Sequence, residues 1–397
     1  MLCNRELFVR GYGSCDDCRD CFDFRIVSYR VLRVVKYTGP LKNWRVYKEQ
    51  LEKMCRRGIM MLVTDKTYCM EAKIMERTNN QPTFLDSLTS DLGGRRTAEF
   101  FHKCDKMIPW SKLAEPLKDM YKNNTDRGGA SNYPLVMMIK CMMLQKWFNL
   151  SDPMLEEMLC DRISFRRFVG LKMDDNTPDE TTFVQFRKRL NAHGYVATLF
   201  EKTIAILKSR SIILKEGTCV DATIIEAPRG RTAKDGISST KDKAAGYTKK
   251  HGRIYHGYKG HIATDRNGII KDYRFDTASV HDSKHIDDMV ENERHSVWAD
   301  SAYMDKARKA KLEERGVFCG IIERRVRGQK ALTQAQKWHN RLVAGIRAVV
   351  EHPFAWMKNT GYGRTRYRGM RRNALDFGLH VIAYNWKRSF SLMSIVA

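Results

Sequence analysis

Nowhere in this chain do about 18 uncharged apolar residues follow one another, the length a helix needs to cross a bilayer, so no membrane-spanning helix and no membrane partner are expected. The opening ten residues also lack the basic-then-apolar order of a secretory leader. Closely spaced cysteine pairs are scarce. Of eleven cysteines most stand alone in apolar runs, as do Cys141, Cys160, Cys219 and Cys319, which argues for buried reduced thiols and against a disulfide framework. A cytoplasmic location is the expectation. Acidic side chains are in short supply as well: 46 Asp and Glu face 71 Lys and Arg, a net charge of +25. Such an excess points to a polyanionic partner, because basic groups on phosphates release condensed counterions. Ribosomal or membrane-surface binding would carry the same signal.

A chain of 397 residues can hold two or three domains. Residues 1–80 show no sustained amphipathic period. Cys15, Cys18 and Cys21 form a C-x2-C-x2-C cluster, but a partner pair at zinc-finger spacing is missing. This region reads as an extension of unknown role, with Met75 a candidate natural start. Residues 81–214 read as helical. Ser151-Asp152-Pro153 is an N-cap with proline in the first turn, and Thr177-Pro178-Asp179-Glu180 opens a second helix with Phe183 and Phe186 on one side. The cations around it, with Arg166, Arg167 and Arg187 as candidate DNA contacts, suit a helix-turn-helix reader of DNA. An ordinary helical domain with solvated cations explains this region equally well.

After Gly217 the period changes from helix to strand. Strands are expected at 219–225, 258–263, 269–275, 296–300 and 318–322, and helices at 283–293, 306–315 and 333–358. Asp265-Arg266-Asn267-Gly268 marks a hairpin turn. The order β-β-β-α-β-α-β-α over 215–397 is that of a ribonuclease-H-like domain, so the expected class is α/β (mixed α+β): a mixed sheet flanked by helices, preceded by an all-α DNA-binding domain. Its first and fourth strands are neighbours, which would set Asp221 beside Asp300. Residues 229–256, rich in Gly, Ser, Thr and Lys, read as a mobile basic loop over the carboxylates, or as a linker without a role.

Three acids carry the chemistry: Asp221 and Asp300 at strand tips, and Glu351 within the last expected helix. Carboxylates gathered at one site repel, and a bound divalent cation reverses that penalty. Two such ions about 4 Å apart can activate an attacking oxygen and relieve charge on a leaving one. Mg2+ suits hard oxygen ligands best, with Mn2+ as a substitute. At 100° per residue Glu351 lies about 40° and Lys358 about 20° around from Arg347, so all three would share a helix face. Glu351 would hold metal while Arg347 and Lys358 grip phosphates; on spacing alone a surface Arg347–Glu351 pair is the simpler reading. Downstream, residues 358–368 interleave Arg364, Arg366 and Arg368 with tyrosines, a mix suited to backbone tracking and base stacking. Glu226, five residues beyond Asp221, should face the other side of its strand. Asp282 is expected to cap or to support a phosphate loop.

These motifs resemble the DDE transposases of bacterial insertion sequences, in particular the number-five family, related to the number-four family. Trp147-Phe148-Asn149-Leu150-Ser151-Asp152, residues 161–171 and Pro178-Asp179-Glu180-Thr181-Thr182 resemble its N-terminal helical domain. Cys219-Val220-Asp221-Ala222-Thr223 and Val297-Trp298-Ala299-Asp300 resemble the segments of the two aspartates, and Val350-Glu351-His352-Pro353-Phe354 that of the glutamate. His256-Gly257-Tyr258-Lys259-Gly260-His261 and Val280-His281-Asp282 fit the intervening strands, with Lys259 a further candidate DNA contact. The resemblance runs from about Pro82 to the end of the chain. It implies cleavage and transfer of DNA strands at terminal inverted repeats, target DNA as second substrate, Mg2+ as cofactor, a homodimer on DNA, and a bacterial, nucleoid-associated setting. Arg347, Glu351 and Lys358 fit the family's tyrosine-arginine-glutamate-lysine signature, but Ala344 stands at the tyrosine position, and Ser301-Ala302 replaces a common glycine before the tyrosine. A ribonuclease-H-like nuclease or resolvase, and a catalytically silent DNA-binding derivative, are the competing readings.

Overall fold

The computed structural model describes residues 21–28, 31–40, 95–121, 132–171, 175–214, 216–231, 240–250, 252–325 and 328–396. The chain forms two compact units, Met1–Gln81 and Pro82–Ala397. In the first, β1 (Cys21–Ser28) and β2 (Val31–Pro40) pair antiparallel, with Cys21 opposite Pro40. Cys15, Cys18 and Met75 lie outside the described residues.

The second unit begins with helices α1 (Arg95–Met107), α2 (Trp110–Ala114), α3 (Leu135–Trp147), α4 (Asp152–Asp161), α5 (Ile163–Val169), α6 (Glu180–Ala192) and α7 (Tyr195–Ser209). The expected caps are present: Ser151 accepts from the Met154 amide and Asp179 from the Thr182 amide. Phe101, Trp147, Phe165 and Phe168 fill the space between these helices, with Phe101 and Phe168 stacked at 4.5 Å.

The sheet is built from β3 (Thr218–Glu226), β4 (Gly246–Lys250), β5 (Arg253–Thr264), β6 (Ile270–Thr277), β7 (Ser296–Ala299) and β8 (Phe318–Ile321), in the order β4-β5-β3-β7-β8, with β6 also on β5. The β5 strand runs antiparallel to both β3 and β6, whereas β7 and β8 run parallel to β3, giving the mixed, curled, helix-flanked sheet of a ribonuclease-H-like domain. The turn between β5 and β6 falls where expected. Asp265 is buried there and accepts from the amides of Asn267 and Ile269, while Gly268 takes the positive φ the turn requires.

Four expectations change. The 283–293 helix is only a short 3-10 turn and α8 (Ile286–Met289). Within the basic loop 229–256, β4 pairs with β5, and Asp242 accepts from the Tyr258 hydroxyl and the Gly369 amide; the loop is partly sheet and anchored at its base. After α9 (Lys306–Glu314), the single helix expected over 333–358 is two, α10 (Gln334–Arg347) and α11 (Glu351–Asn359), joined by a 3-10 turn at Ala348–Val350. Pro353 explains the break: it has no amide to donate to Val349, and its ring crowds that carbonyl. Finally, α12 (Met370–Val396) had no counterpart in the sequence reading. It buries Phe377, Val381, Ile382, Tyr384 and Trp386, and it packs on α3, α7 and β6, so the helical half and the sheet share one core. Among the described residues no helix is long and apolar enough to cross a membrane.

Gly260 shows how tightly α12 meets the sheet. A β-carbon there would lie 2.5 Å from the Phe377 ring. Gly260→Ala is therefore expected to cost about 1–3 kcal/mol by overpacking, read as a lower urea midpoint, with Phe377→Leu in the same chain restoring part of the loss.

Candidate active site

Parallel pairing of β3 and β7 decides where the two aspartates stand. Val220 pairs with Ala299, so the next residues, Asp221 and Asp300, emerge side by side where β7 ends. Each accepts a backbone amide, Asp221 from Ala222 at 2.8 Å and Asp300 from Ser301 at 2.6 Å. Burial pushes the Asp221 carboxyl above its ordinary range; Asp300 adds to this, while Arg347 and the Ala222 amide oppose it. Tyr303 is buried nearby with no hydrogen-bond partner for its hydroxyl, and desolvation followed by the charges of Asp221, Asp282 and Asp300 raises its pKa.

Glu351 enters differently from the expectation. Its side chain is 62% exposed, and the contact it makes towards the aspartates runs through Arg347, whose Nη1 lies 3.7 Å from Glu351 Oε1 and whose Nη2 donates to Asp221 Oδ2 at 3.1 Å. Among the described residues no three or more His, Cys, Asp and Glu side chains gather as a metal-binding group. Asp221 and Asp300 thus form an adjacent pair, and Glu351 is linked to Asp221 by a guanidinium. Arg347 offsets charge on both Glu351 and Asp221. The donors fit a hard divalent ion, being carboxylate oxygens held at one strand edge with a like-charge cost that a cation relieves.

Of the candidate DNA contacts, Lys358, Arg364 and Arg368 are exposed. Arg167 is exposed too but also interacts within the protein. Four more have internal partners. Arg187 is buried and pairs with both oxygens of Asp152, at 2.7 and 2.5 Å. Arg166 is buried against the carbonyls of Leu159 and Asp175, and Lys259 pairs with Asp282 at 2.8 Å. Arg366 bonds the Leu150 carbonyl and the Asn149 side chain. Nor do the tyrosines of the basic segment offer stacking platforms. Tyr362 is buried and stacked on His380 at 3.9 Å, and Tyr367 lies beneath the Arg187 guanidinium. Their rings fill the seam between α12 and the helical half. Charge pattern alone did not reveal this, because a buried bidentate arginine and a DNA-facing one look alike in sequence.

Against this geometry the sequence comparisons decide the family. Residues 213–386 match the Transposase DDE domain, and residues 91–189 match a second model, Transposase domain (DUF772). The chain belongs to the DDE transposases of insertion sequences. No solved structure matches it. As a DDE transposase it is a metal-dependent enzyme of DNA cleavage and strand transfer, DNA is its partner, and a divalent ion is its cofactor.

Behind the transposase's acids, on the far face of β5, His261 is buried 5.1 Å from the His285 ring. Burial lowers the His261 pKa to about 4, and burial with Lys146 lowers that of His380 in α12 to about 3. Above pH 6.5 neither histidine is charged in the folded or the unfolded chain. As pH falls from 6.5 towards 4 the unfolded chain takes up protons that the folded one refuses, so stability declines by about 1.4 kcal/mol per pH unit for each. Urea midpoints across this window should fall less steeply in His380→Gln than in the wild type.

Proposed function

We propose that Asp221, Asp300 and Glu351 form the catalytic, metal-holding set of this transposase, that Mg2+ is the ion, with Mn2+ able to replace it, and that the substrates are the terminal inverted repeats of its own insertion sequence and a target duplex. The observation that carries the reading is the pairing of β3 with β7, which places two carboxylates side by side, with Glu351 on the same guanidinium as Asp221. Bound at these acids, a divalent ion would supply Lewis acidity to the attacking and leaving oxygens of a phosphodiester. The chain's own residues do the rest. Asp300, fixed by the Ser301 amide, presents its second oxygen as a ligand, and Asp221, fixed by the Ala222 amide, would offer Oδ2 by sharing it between Arg347 and the ion. Arg347 holds the acids together and carries positive charge to where a phosphate must approach, and exposed Lys358, Arg364 and Arg368 extend that charge along the segment after α11.

Residues 81–214 act in this reading as the DNA-binding part and 215–397 as the catalytic part, working as a homodimer on DNA in the bacterial nucleoid. Incubating the protein with a labelled terminal-repeat duplex, a target plasmid and Mg2+ tests it. Joined product is the expected result. Nicks without joining would identify a nuclease or resolvase, and no reaction would identify a silent DNA-binding derivative.

A further inference from the structure

At the far end of β3 from β7 lies a cavity of about 450 Å3 whose wall includes Arg229, Arg253, His256, Arg364, Tyr255 and Glu226. Three arginines face one carboxylate here. Glu226 lies 3.9 Å from Arg253, whose side chain is still 66% exposed, and Arg229 and Arg364 are exposed as well. Arg364 is brought in by the backbone: the Glu226 amide donates to the Gly363 carbonyl, and the Thr365 amide to the Glu226 carbonyl. His256 is 4% exposed, yet neither ring nitrogen has a hydrogen-bond partner. Its neighbours are the Tyr247 ring, 4.8 Å away, and the charge of Asp242. A buried imidazole with both nitrogens unsatisfied is rare in native folds and asks for a ligand. Excess positive charge, arginine forks and a buried imidazole together suit a tetrahedral oxyanion, a phosphate above all.

We infer that this cavity is a second phosphate site, separate from the acids, that grips one backbone phosphate of the bound DNA. The inference rests on the proposed DNA reading and shares Arg364 with it, but turns on Arg229, Arg253 and His256. Glu226 lies five residues from Asp221, roughly 17 Å along a strand. The gripped phosphate therefore falls within half a helical turn of the one at the acids. Asp221 pairs with Ile262, so by alternation His256 falls on the Asp221 face of β5 while Arg253 and Glu226 fall on the other, and the cavity spans both faces at this end of the sheet.

The test uses the full chain carrying Asp221→Asn, so that binding is read without cleavage. Binding of terminal-repeat and unrelated duplexes is followed by fluorescence anisotropy at several salt concentrations, in that background and with Arg229→Gln/Arg253→Gln added on the rim. His256→Gln is the second variant, and circular dichroism and urea midpoints confirm folding. Loss of one phosphate contact should weaken both duplexes alike and make the salt slope shallower by about 1. A methylphosphonate scan should find a single position, distinct from the scissile phosphate and within half a helical turn of it, where neutralising the DNA matters in the Asp221→Asn protein and no longer matters in the rim variant. Unchanged slopes in folded variants overturn the inference, as does saturable binding of inorganic phosphate at the cavity with no effect of the variants on DNA. Failure of the transposition reading looks different: strand transfer would be missing from the wild type, whatever the rim variants do to the salt slope.

Discussion

Asp221→Asn is expected to leave the protein folded and to reduce strand cleavage more than about a hundredfold, beyond the 10–100-fold typical of losing a mere outer partner of a metal ligand. The argument rests on what the carboxylate does in each setting. For folding it is a burden: burial disfavours its charge, and Asp300 beside it adds repulsion. Asparagine removes that charge, keeps an oxygen for the Ala222 amide, and leaves Arg347 with Glu351. For metal binding the loss is direct, because a neutral amide is a poorer ligand for a hard cation than a carboxylate. Calorimetric titration with Mn2+ in the absence of DNA separates the two roles. Wild type should bind and Asp221→Asn should bind far more weakly, at an unchanged urea midpoint. If the variant binds Mn2+ as the wild type does and still cleaves, Asp221 is not a ligand.

How much of this was legible in the sequence follows from how local each signal is. The β3 run and the turn at Asp265 to Gly268 were readable because apolar strand runs and turn chemistry are short-range. The adjacency of Asp221 and Asp300 followed from element order, since a parallel neighbour of β3 must return through a crossover. The β1 strand could also have been read: Phe22, Phe24 and Ile26 alternate with Asp23 and Arg25, a period of two hidden among scattered charges. Long-range partners were not legible. Nothing near Arg187 announces Asp152 thirty-five residues away, and nothing near Tyr362 announces the helix that buries it. The α12 helix escaped because a helix apolar on most sides has no amphipathic face to detect. Among its polar residues Asp376 and His380 are fully buried.

Those buried polar residues give the second large effect. Lys146→Met is expected to destabilise the protein by about 3–5 kcal/mol, the usual cost of breaking a buried ion pair from one side. Lys146 in α3 pairs with Asp376 in α12, and neither side chain is exposed to solvent at all. Burial pushes the Asp376 carboxyl up, yet Lys146, His380 and Arg366 together hold it below its ordinary value, so it remains an anion that needs a cation. Remove the lysine and that anion is stranded between the helical half and the sheet. The double variant Lys146→Met/Asp376→Leu should recover most of the loss, because an apolar pair of similar size has no charge to desolvate. His380 adds a sign that simple packing loss would not produce. After burial, Lys146 is the main influence depressing its pKa, while Asp376 favours its charged form. Without Lys146 the imidazole should take up a proton at higher pH and become the counter-ion of Asp376. The deficit of Lys146→Met relative to wild type should therefore be smaller at pH 5 than at pH 8, measured as urea midpoints. A deficit independent of pH would mean that the seam between α3 and α12 is held by shape alone.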